Sequence, residues 1–254
     1  MPKPLVQRHL VADLSPSLWD EVWEFASRFN EGSRQAFEAS LRAKRFLVTL
    51  RERPSKRLIG IGAIDVYPFA GPRTDAHGRP GRCIVIYTGN LAFEPGLRGF
   101  SLVQRIGFKC YLEARLRHPL TPVWLFYDTF SYKSYLMLAN NFGTYWPRFD
   151  RATPPDVLDF IDRLGQHRYA AGWDVTRGLC RGGERRLRSG VADVTPDLLD
   201  NPFIRYFAAR NPGYANGDML AVVAPLNVSN WRAVWRRFWQ RKKRNASPDL
   251  KVDR

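Results

Sequence analysis

The pattern of apolar and polar positions along the chain predicts helices and strands in mixed order. Ser15 and Pro16 are typical of a helix start, and Ser33 can cap a second helix that runs to about Arg45. Apolar runs rich in β-branched and aromatic residues predict strands. These predicted strands are residues 46–52, 58–67, 83–93, 123–127 and 219–224.

Further helices are predicted where apolar residues recur every three or four positions. They are residues 101–117, 131–141, 156–164, 197–210 and 230–244. Residues 69–81 are rich in glycine and proline and predict a surface loop, and residues 180–188 predict a loop or hairpin tip. This order of elements predicts an α/β fold with a mixed central sheet, flanking helices and a C-terminal extension. We expect a division into three parts: a core in residues 1–149, an extension in residues 150–228 that completes the sheet and forms a lid, and a basic aromatic tail in residues 229–254.

The segment at residues 91–114 changes from a strand to a helix through a turn that contains Pro95 and Gly99. Ser101 is the expected N-cap of that helix. A glycine turn that leads into a helix leaves several backbone N–H groups unpaired at the positive end of the helix dipole. The segment therefore predicts a site for phosphate.

The chain has 40 lysines and arginines against 24 acidic residues, a formal net charge of +16. Such a charge favours an anionic partner (nucleic acid, acidic lipid or a phosphorylated ligand), although biased composition and solubility explain it equally well. The three cysteines are far apart, which is typical of reduced thiols in a cytosolic protein. The four histidines lack metal-ligand spacing, so no metal is expected. No apolar run approaches the roughly 18 residues of a membrane span, so we expect a cytoplasmic protein whose membrane contact, if it has one, is peripheral.

Two stretches resemble the GNAT superfamily of acyl-CoA-dependent N-acyltransferases. Residues 95–102 (PGLRGFSL) are similar to the loop in which that family places a proline before an Arg-Gly-x-Gly/Ala element that opens a helix. Residues 131–143 (SYKSYLMLANNFG) are similar to the helix after the family's fifth strand. Four departures indicate a divergent member: Gly96 replaces Gln or Arg, Ser131 replaces Asn, Leu138 replaces a general-acid tyrosine, and Phe142-Gly143 reverses a Gly-Phe pair.

The resemblance implies a sheet in which two strands part and admit a thioester donor, either acyl-CoA or acyl-carrier protein. The donor's pantetheine arm would pair with backbone in the third predicted strand, and its pyrophosphate would bind at the turn, with two arginines in support. The implied donor-binding residues are Leu91, Ala92, Phe93, Arg98, Gly99, Phe100, Ser101, Leu102, Val103 and Arg105.

Acyl transfer to an amine requires a base for the amine and an acid for the leaving thiolate. Glu94 and Asp128 are the candidate bases, although Glu94 can equally be an exposed turn carboxylate and Asp128 a helix cap. Tyr135 is the candidate acid because it lies one turn from Leu138, although packing in the core is the more common role of a single tyrosine. The density of aromatic residues nearby leaves room for a long acyl chain.

The predicted C-terminal helix has tryptophans on one side and a run of cations at its end. These residues are Trp231, Trp235, Trp239, Arg241, Lys242, Lys243 and Arg244. Such a helix can pack on the domain, lie on an anionic membrane or bind nucleic acid. We therefore predict an acyltransferase that acts on an amine-bearing small molecule or lipid. The alternative is a catalytically inactive module of the same fold that binds anionic membrane or nucleic acid.

Overall fold

The computed structural model of the protein describes residues 4–74, 80–94 and 100–246. Its central sheet is mixed and has eight strands in the order β1-β3-β4-β5-β6-β10-β8-β7, and a separate ladder joins β2 to β9. The strands are β1 (Leu5–Leu10), β2 (Asn30–Glu31), β3 (Phe46–Arg51), β4 (Leu58–Thr74), β5 (Pro80–Phe93), β6 (Val123–Thr129), β7 (Trp173–Asp174), β8 (Leu179–Cys180), β9 (Arg186–Leu187) and β10 (Met219–Pro225). The β5–β6 pair is parallel and the other pairs are antiparallel. The predicted mixed α/β class is confirmed.

Seven α-helices lie in the described part of the chain. They are α1 (Pro16–Ser27), α2 (Arg34–Arg42), α3 (Phe100–Arg117), α4 (Tyr132–Ala139), α5 (Pro155–Tyr169), α6 (Pro202–Arg210) and α7 (Val228–Ala246). Short 3-10 turns occur at Val11–Asp13, Ala170–Gly172, Pro196–Asp200 and Tyr214–Asn216. Among the described residues, no helix combines the length and the apolar character needed to cross a bilayer.

Two helix starts lie where the sequence predicts them. Ser15 Oγ accepts a hydrogen bond from Leu18 N at 3.3 Å, and Ser33 Oγ accepts one from Ala36 N at 3.1 Å. Each bond satisfies a backbone donor in the first turn of the helix. Ser101 is not the N-cap of α3, because the helix already includes Phe100. The turn at residues 95–99 lies outside the described residues.

The predicted loop at residues 69–81 is wrong for its described residues. β4 continues to Thr74 and β5 begins at Pro80, so the two strands form a long hairpin. Phe69 packs against Phe160 of α5, with ring centroids 6.3 Å apart. The hairpin therefore has a buried face, and this tertiary contact outweighs the glycine- and proline-rich composition. Part of the loop predicted at residues 180–188 is also a strand, since β9 pairs with β2.

Alternate residues of the sheet face two helical layers, as the pleat of a strand requires. On β5, Val85 belongs to the core under α5, and Ile86 belongs to the core under α4 and α7. A third cluster lies on the same face of the sheet as α5. It consists of residues through which α1 and α2 pack against β3 and β4. β10 joins the sheet directly beside β6. The division into a core, an extension and a tail stays a prediction.

The tryptophans of α7 do not share one environment. Trp231 is only 7% exposed and lies against Phe108, with ring centroids 4.8 Å apart, and Trp235 contacts the same ring at 5.5 Å. Trp239 is 53% exposed. The membrane alternative would place Trp231 on a lipid surface, and that part of it is wrong because the indole of Trp231 is part of the core.

Candidate functional site

Strands β5 and β6 part in the middle of the sheet. They pair in parallel from Ile84 opposite Val123 to Thr88 opposite Tyr127, and β5 continues to Phe93 beside β4 alone. This is the parting of two strands that the resemblance implies. The ends of strands where neighbours diverge are common places for ligand sites in α/β proteins.

A β-bulge in β5 marks the same point. Ala63 pairs with Gly89 and Ile61 pairs with Ala92, so Asn90 and Leu91 together oppose a single residue of β4. Asn90 has a left-handed backbone with φ of 51°. A bulge of this kind bends its strand and leaves an extra residue outside the ladder, which often re-aims groups towards a site.

A cavity of about 1220 Å³ opens where the strands part. Its walls are formed mainly by the end of α1, α2, the ends of β5 and β6, α4 and the segment around β9, with single residues from β4, α5 and β10. Asp128 and Glu94, the two candidate bases, both line this cavity. The predicted pantetheine-binding residues Leu91, Ala92 and Phe93 line it as well.

A tyrosine and a carboxylate meet at the fork, the point where β5 and β6 part. The Tyr87 hydroxyl donates a hydrogen bond of 2.8 Å to Oδ2 of Asp128. Burial, together with the nearby Asp128 charge, holds the pKa of Tyr87 well above its ordinary value, so the phenol stays protonated and remains a donor. The guanidinium of Arg168 lies 3.4 Å from the centroid of the Tyr87 ring, a cation–π contact that fixes the ring from the other side. Asp128 is not a cap for α4, because Ser131 occupies that position.

Gly89 allows Tyr87 to lie in this position. A Cβ added at Gly89 would stand 2.6 Å from the Tyr87 hydroxyl oxygen and 3.1 Å from its Cζ. Contacts this short are not tolerated by a packed aromatic ring, so the absence of a side chain at Gly89 is a condition for the Tyr87–Asp128 bond.

Two cations of the cavity converge on one hydroxyl. Lys44 Nζ donates to Ser40 Oγ at 2.8 Å and also to the Ser40 carbonyl oxygen. Arg185 Nη1 donates to the same Oγ at 2.6 Å. Lys44 is only 6% exposed, and burial together with the Arg168 charge lowers its pKa to about 7. Burial also lowers the pKa of Arg185, and its buried Nε has no hydrogen-bond partner.

Glu94 lies at the rim of the cavity. It forms an ion pair with Arg57 and a second one with Arg28 at 3.2 Å, and its side chain is 16% exposed. The hydrogen bond from Arg57 holds the pKa of Glu94 below its ordinary value. The Glu94 side chain is therefore ionised, as a base must be, but it is already paired with two arginines.

Tyr135 does not line the cavity. Its side chain is 0% exposed, its hydroxyl donates to the Pro147 carbonyl oxygen at 3.0 Å, and its ring packs against Phe207. Burial raises the pKa of Tyr135 above its ordinary value. Leu138 belongs to the same buried cluster. This geometry matches the alternative interpretation of Tyr135, in which it packs in the core.

The predicted pyrophosphate site is only partly described. Arg98 and Gly99 lie outside the described residues. The backbone of Phe100, Ser101, Leu102, Val103 and Arg105 forms the first turns of α3. The assignment of these residues to a donor phosphate therefore stays a prediction.

Sequence reasoning missed the cationic side of the cavity. Lys44 follows a polar helix, and Arg185 lies in a basic, glycine-containing stretch, so both resemble ordinary surface cations in the sequence. Tyr87 is one more residue of a predicted strand. No local pattern distinguishes these residues, because only the tertiary fold brings them together.

Comparison with known proteins gives structural matches alone. No protein-family model matches the chain, and no curated protein matches it. One similar solved structure is a predicted acetyltransferase from Clostridium acetobutylicum with acetyl-CoA, with 15% identity, 61% of this chain and 97% of that chain covered, and a TM-score of 0.38. Another is an acyl-CoA N-acyltransferase from Pseudomonas aeruginosa, with 13% identity, coverages of 61% and 94%, and a TM-score of 0.33. A third is an IAA acetyltransferase from Bacillus cereus, with 8% identity, coverages of 88% and 100%, and a TM-score of 0.36.

These similarities are distant and indicate no activity or ligand for this chain. The function proposed below rests on the geometry of the cavity. The parting of β5 and β6 in a mixed sheet agrees with what the resemblance to GNAT acyl-CoA N-acyltransferases implies, and membership of that family stays an interpretation of the sequence.

Proposed function

We propose that the protein transfers an acyl group from a thioester, acyl-CoA or acyl-carrier protein, to an amine. The observation that carries this proposal is the fork between β5 and β6, which opens into the cavity beside the Tyr87–Asp128 pair. A thioester arm can extend along the unpaired edge of β5 at residues 89–93. An acceptor then approaches from the side of α2, where the polar groups lie.

Asp128 is the proposed base. The amine nitrogen attacks the thioester carbonyl carbon, the C–S bond breaks, and the amine proton passes to the Asp128 carboxylate. The leaving thiolate then takes this proton from Asp128, which returns to its carboxylate form. The hydrogen bond from Tyr87 orients one carboxylate oxygen and leaves the other for the amine. Glu94 is the second candidate, and its two arginine partners make it the weaker base.

Tyr135 is given no catalytic role in this proposal, because its hydroxyl is committed to the Pro147 carbonyl away from the cavity. The acyl chain of the donor is given no fixed length. The cavity volume of about 1220 Å³ is large enough for a chain longer than acetyl together with an acceptor.

The test is binding and turnover with a series of CoA thioesters. Full-length protein is melted with CoA and with acyl-CoAs of increasing chain length, and released thiol is followed in the presence of a mixture of amines. Ligands that bind the folded state raise the Tm. We expect a Tm increase with at least one acyl-CoA and amine-dependent release of thiol. If no CoA thioester and no acyl-carrier thioester shifts the Tm or is consumed, the protein is not an acyltransferase.

A second candidate function, binding to an anionic membrane surface, is favoured by one observation. Trp239 is half exposed near the end of α7, and the chain continues into Arg241, Lys242, Lys243 and Arg244. An exposed indole beside cations suits the headgroup region of an anionic bilayer. Nucleic acid is the less favoured polyanion, and co-sedimentation with vesicles or retention on nucleic acid distinguishes the two.

A further inference from the structure

The acceptor side of the cavity carries two positive groups that have no carboxylate in direct contact among the described residues. Lys44 and Arg185 both donate a hydrogen bond to the hydroxyl of Ser40. A third cation, Arg168, lies over the ring of Tyr87. Within the described ranges of the chain, no carboxylate lies within 4.0 Å of the Lys44 or Arg185 nitrogens. A cation that is removed from water and left without a counterion is costly for a folded protein.

Several hydrogen-bonding groups around these cations are unused. Arg185 Nε is buried without a partner, and so is Asn90 Nδ2 on the bulge of β5. Asn90 Oδ1 is 3.5 Å from the Ser40 hydroxyl, so the unused amide belongs to the same polar cluster. Buried polar groups in folded proteins are normally satisfied, and both residues line the cavity, so these unused donors suit a ligand with acceptor oxygens.

The opposite charge in the cavity lies at the fork. Asp128 lines the same cavity as Lys44 and Arg185, and its charge acts on both cations, raising their pKa values against the larger effect of burial. The cavity therefore has a negative group at the place proposed for the reacting amine and positive groups beside it. This arrangement complements a molecule that carries an ammonium group and an anionic group close together.

We propose, on the basis of the acyl transfer proposed above, that the acceptor is an amine that also carries an oxyanion, either a carboxylate or a phosphate. Lys44 and Arg185 bind the oxyanion, and Asp128 receives the proton of the amine. An α-amino acid and an aminoalkyl phosphate both have this chemistry. A neutral or purely cationic amine does not satisfy the two cations.

Matched pairs of acceptors test the proposal with one acyl-CoA donor. Phenylalanine is compared with phenylalanine amide, and O-phosphoethanolamine with ethanolamine, so that each pair differs in the oxyanion. We expect kcat/KM to be at least about tenfold higher for the anionic member of one pair, since a hydrogen bond to a charged group is worth about 10- to 100-fold in affinity. The pair that shows the preference distinguishes a carboxylate acceptor from a phosphate acceptor.

Variants assign the preference to the cations. Arg185→Met should raise KM for the preferred acceptor about 10- to 100-fold and leave the Kd for CoA within about twofold. Arg185→Lys should restore part of the affinity. Arg186→Met is the matched control, because the neighbouring Arg186 pairs with Glu31 on the surface at 2.7 Å and does not line the cavity.

A binding measurement without the donor keeps the two proposals distinguishable. Inorganic phosphate or acetate should raise the Tm of the wild type and of Arg186→Met, but not that of Arg185→Met. Acyl transfer at equal rates to both members of each pair would overturn the acceptor assignment and leave acyl transfer intact. A loss of CoA affinity in Arg185→Met as large as the loss for the acceptor would assign the cations to the donor and overturn it too. An Arg185-dependent Tm increase without any acyl transfer would overturn both the proposed function and the acceptor assignment, and would leave only an anion site.

Discussion

The Tyr87 hydroxyl and the Asp128 carboxylate are joined by a 2.8 Å hydrogen bond across β5 and β6, one residue away from the last pair that holds these strands together. The bond therefore lies where the sheet changes from a closed ladder to an open cleft. It positions a carboxylate in the wall of the cavity, and it joins that carboxylate to a ring that also contacts the guanidinium of Arg168.

Replacing Asp128 with asparagine tests its role as the base. Asp128→Asn keeps the shape of the side chain and can still accept the Tyr87 hydrogen bond, but it cannot take a proton at neutral pH. We expect kcat to decrease by about 10²- to 10⁴-fold, with the Kd for CoA unchanged. Steady-state kinetics and CoA titration measure the two effects. The control is Asp20→Asn, which alters an exposed carboxylate that pairs with Arg34 on the surface. Unchanged kcat in Asp128→Asn would transfer the base role to Glu94.

A glycine-to-alanine pair separates the effect of Tyr87 from that of overall stability. In Gly89→Ala the new methyl group would lie 2.6 Å from the Tyr87 hydroxyl, so the ring must move and the bond to Asp128 must break. We expect a large loss of kcat and a free energy of unfolding lower by about 1–3 kcal/mol. Gly107→Ala in α3 meets nothing within 4 Å and should stabilise the helix by about 0.5–1 kcal/mol with kcat unchanged. Equal activity of the two variants would contradict the importance of the Tyr87–Asp128 bond.

Lys44 should make the stability of the protein depend on pH. Burial lowers its pKa in the folded state to about 7, whereas the unfolded chain keeps the ordinary value near 10.5. Between about pH 7 and pH 10 the unfolded state therefore binds more protons at Lys44, and the free energy of unfolding increases as the pH rises. Lys44→Met should lack this increase and should be more stable than the wild type at pH 7 by about 1–3 kcal/mol.

Urea titrations of the wild type and of Lys44→Met at pH 7.0 and 9.5 measure this effect. The difference between the two proteins cancels the groups that titrate in both. Parallel changes of the two free energies with pH would show that Lys44 is charged and satisfied in the folded protein.

Asn230 links the start of α7 to the end of α4 and to β10. Its side-chain oxygen accepts hydrogen bonds from Gly143 N and Thr144 N, and its Nδ2 donates to the carbonyl oxygens of Thr144 and Pro225. Asn230→Ala should lower the free energy of unfolding by about 2–4 kcal/mol, because four partly buried backbone groups lose their partner.

A second asparagine provides the comparison for chemical denaturation. Asn201→Ala removes a single cap bond to Phe203 N and should cost about 1 kcal/mol. Similar losses for both variants would mean that water replaces the Asn230 bonds.

Two tryptophans of α7 differ in burial, so we expect their replacement to have different effects on stability and on membrane binding. Trp231→Ala removes a buried indole packed on Phe108 and should lower the free energy of unfolding by about 3–5 kcal/mol. Trp239→Ala removes a half-exposed indole, so it should change stability little and reduce co-sedimentation with anionic vesicles. No binding of the wild type to such vesicles would leave α7 with a structural role only.

The sequence predicted what depends on neighbouring residues. Ser15 and Ser33 act as helix caps because their hydroxyls reach backbone donors three residues away. The relation between Tyr135 and Leu138 was also correct, since the two side chains do share one face of α4. Helical spacing gives the relative direction of two side chains, but it does not tell which face meets the cavity. That face packs in the core, so Tyr135 does not reach the cavity.

The rest of the site depends on contacts between distant segments. Ser40 and Arg185 are 145 positions apart, and only the folded chain shows that they share a hydrogen bond. The extension of β4 to Thr74 likewise depends on α5, which covers Phe69. Glycine and proline content describes the local backbone and carries no information on such a partner.

The position of β10 has a consequence for the order in which the protein acquires its fold during synthesis. Of the described strands β10 leaves the ribosome last, yet it lies inside the sheet, between β6 and β8. Until it docks, the growing chain presents the open edge of β6 to its surroundings, and β8 and β7 have no place to attach. Unpaired strand edges of this kind promote aggregation. We expect a nascent chain that stalls before residue 219 to need protection by a chaperone, whereas one released after residue 225 can close its sheet.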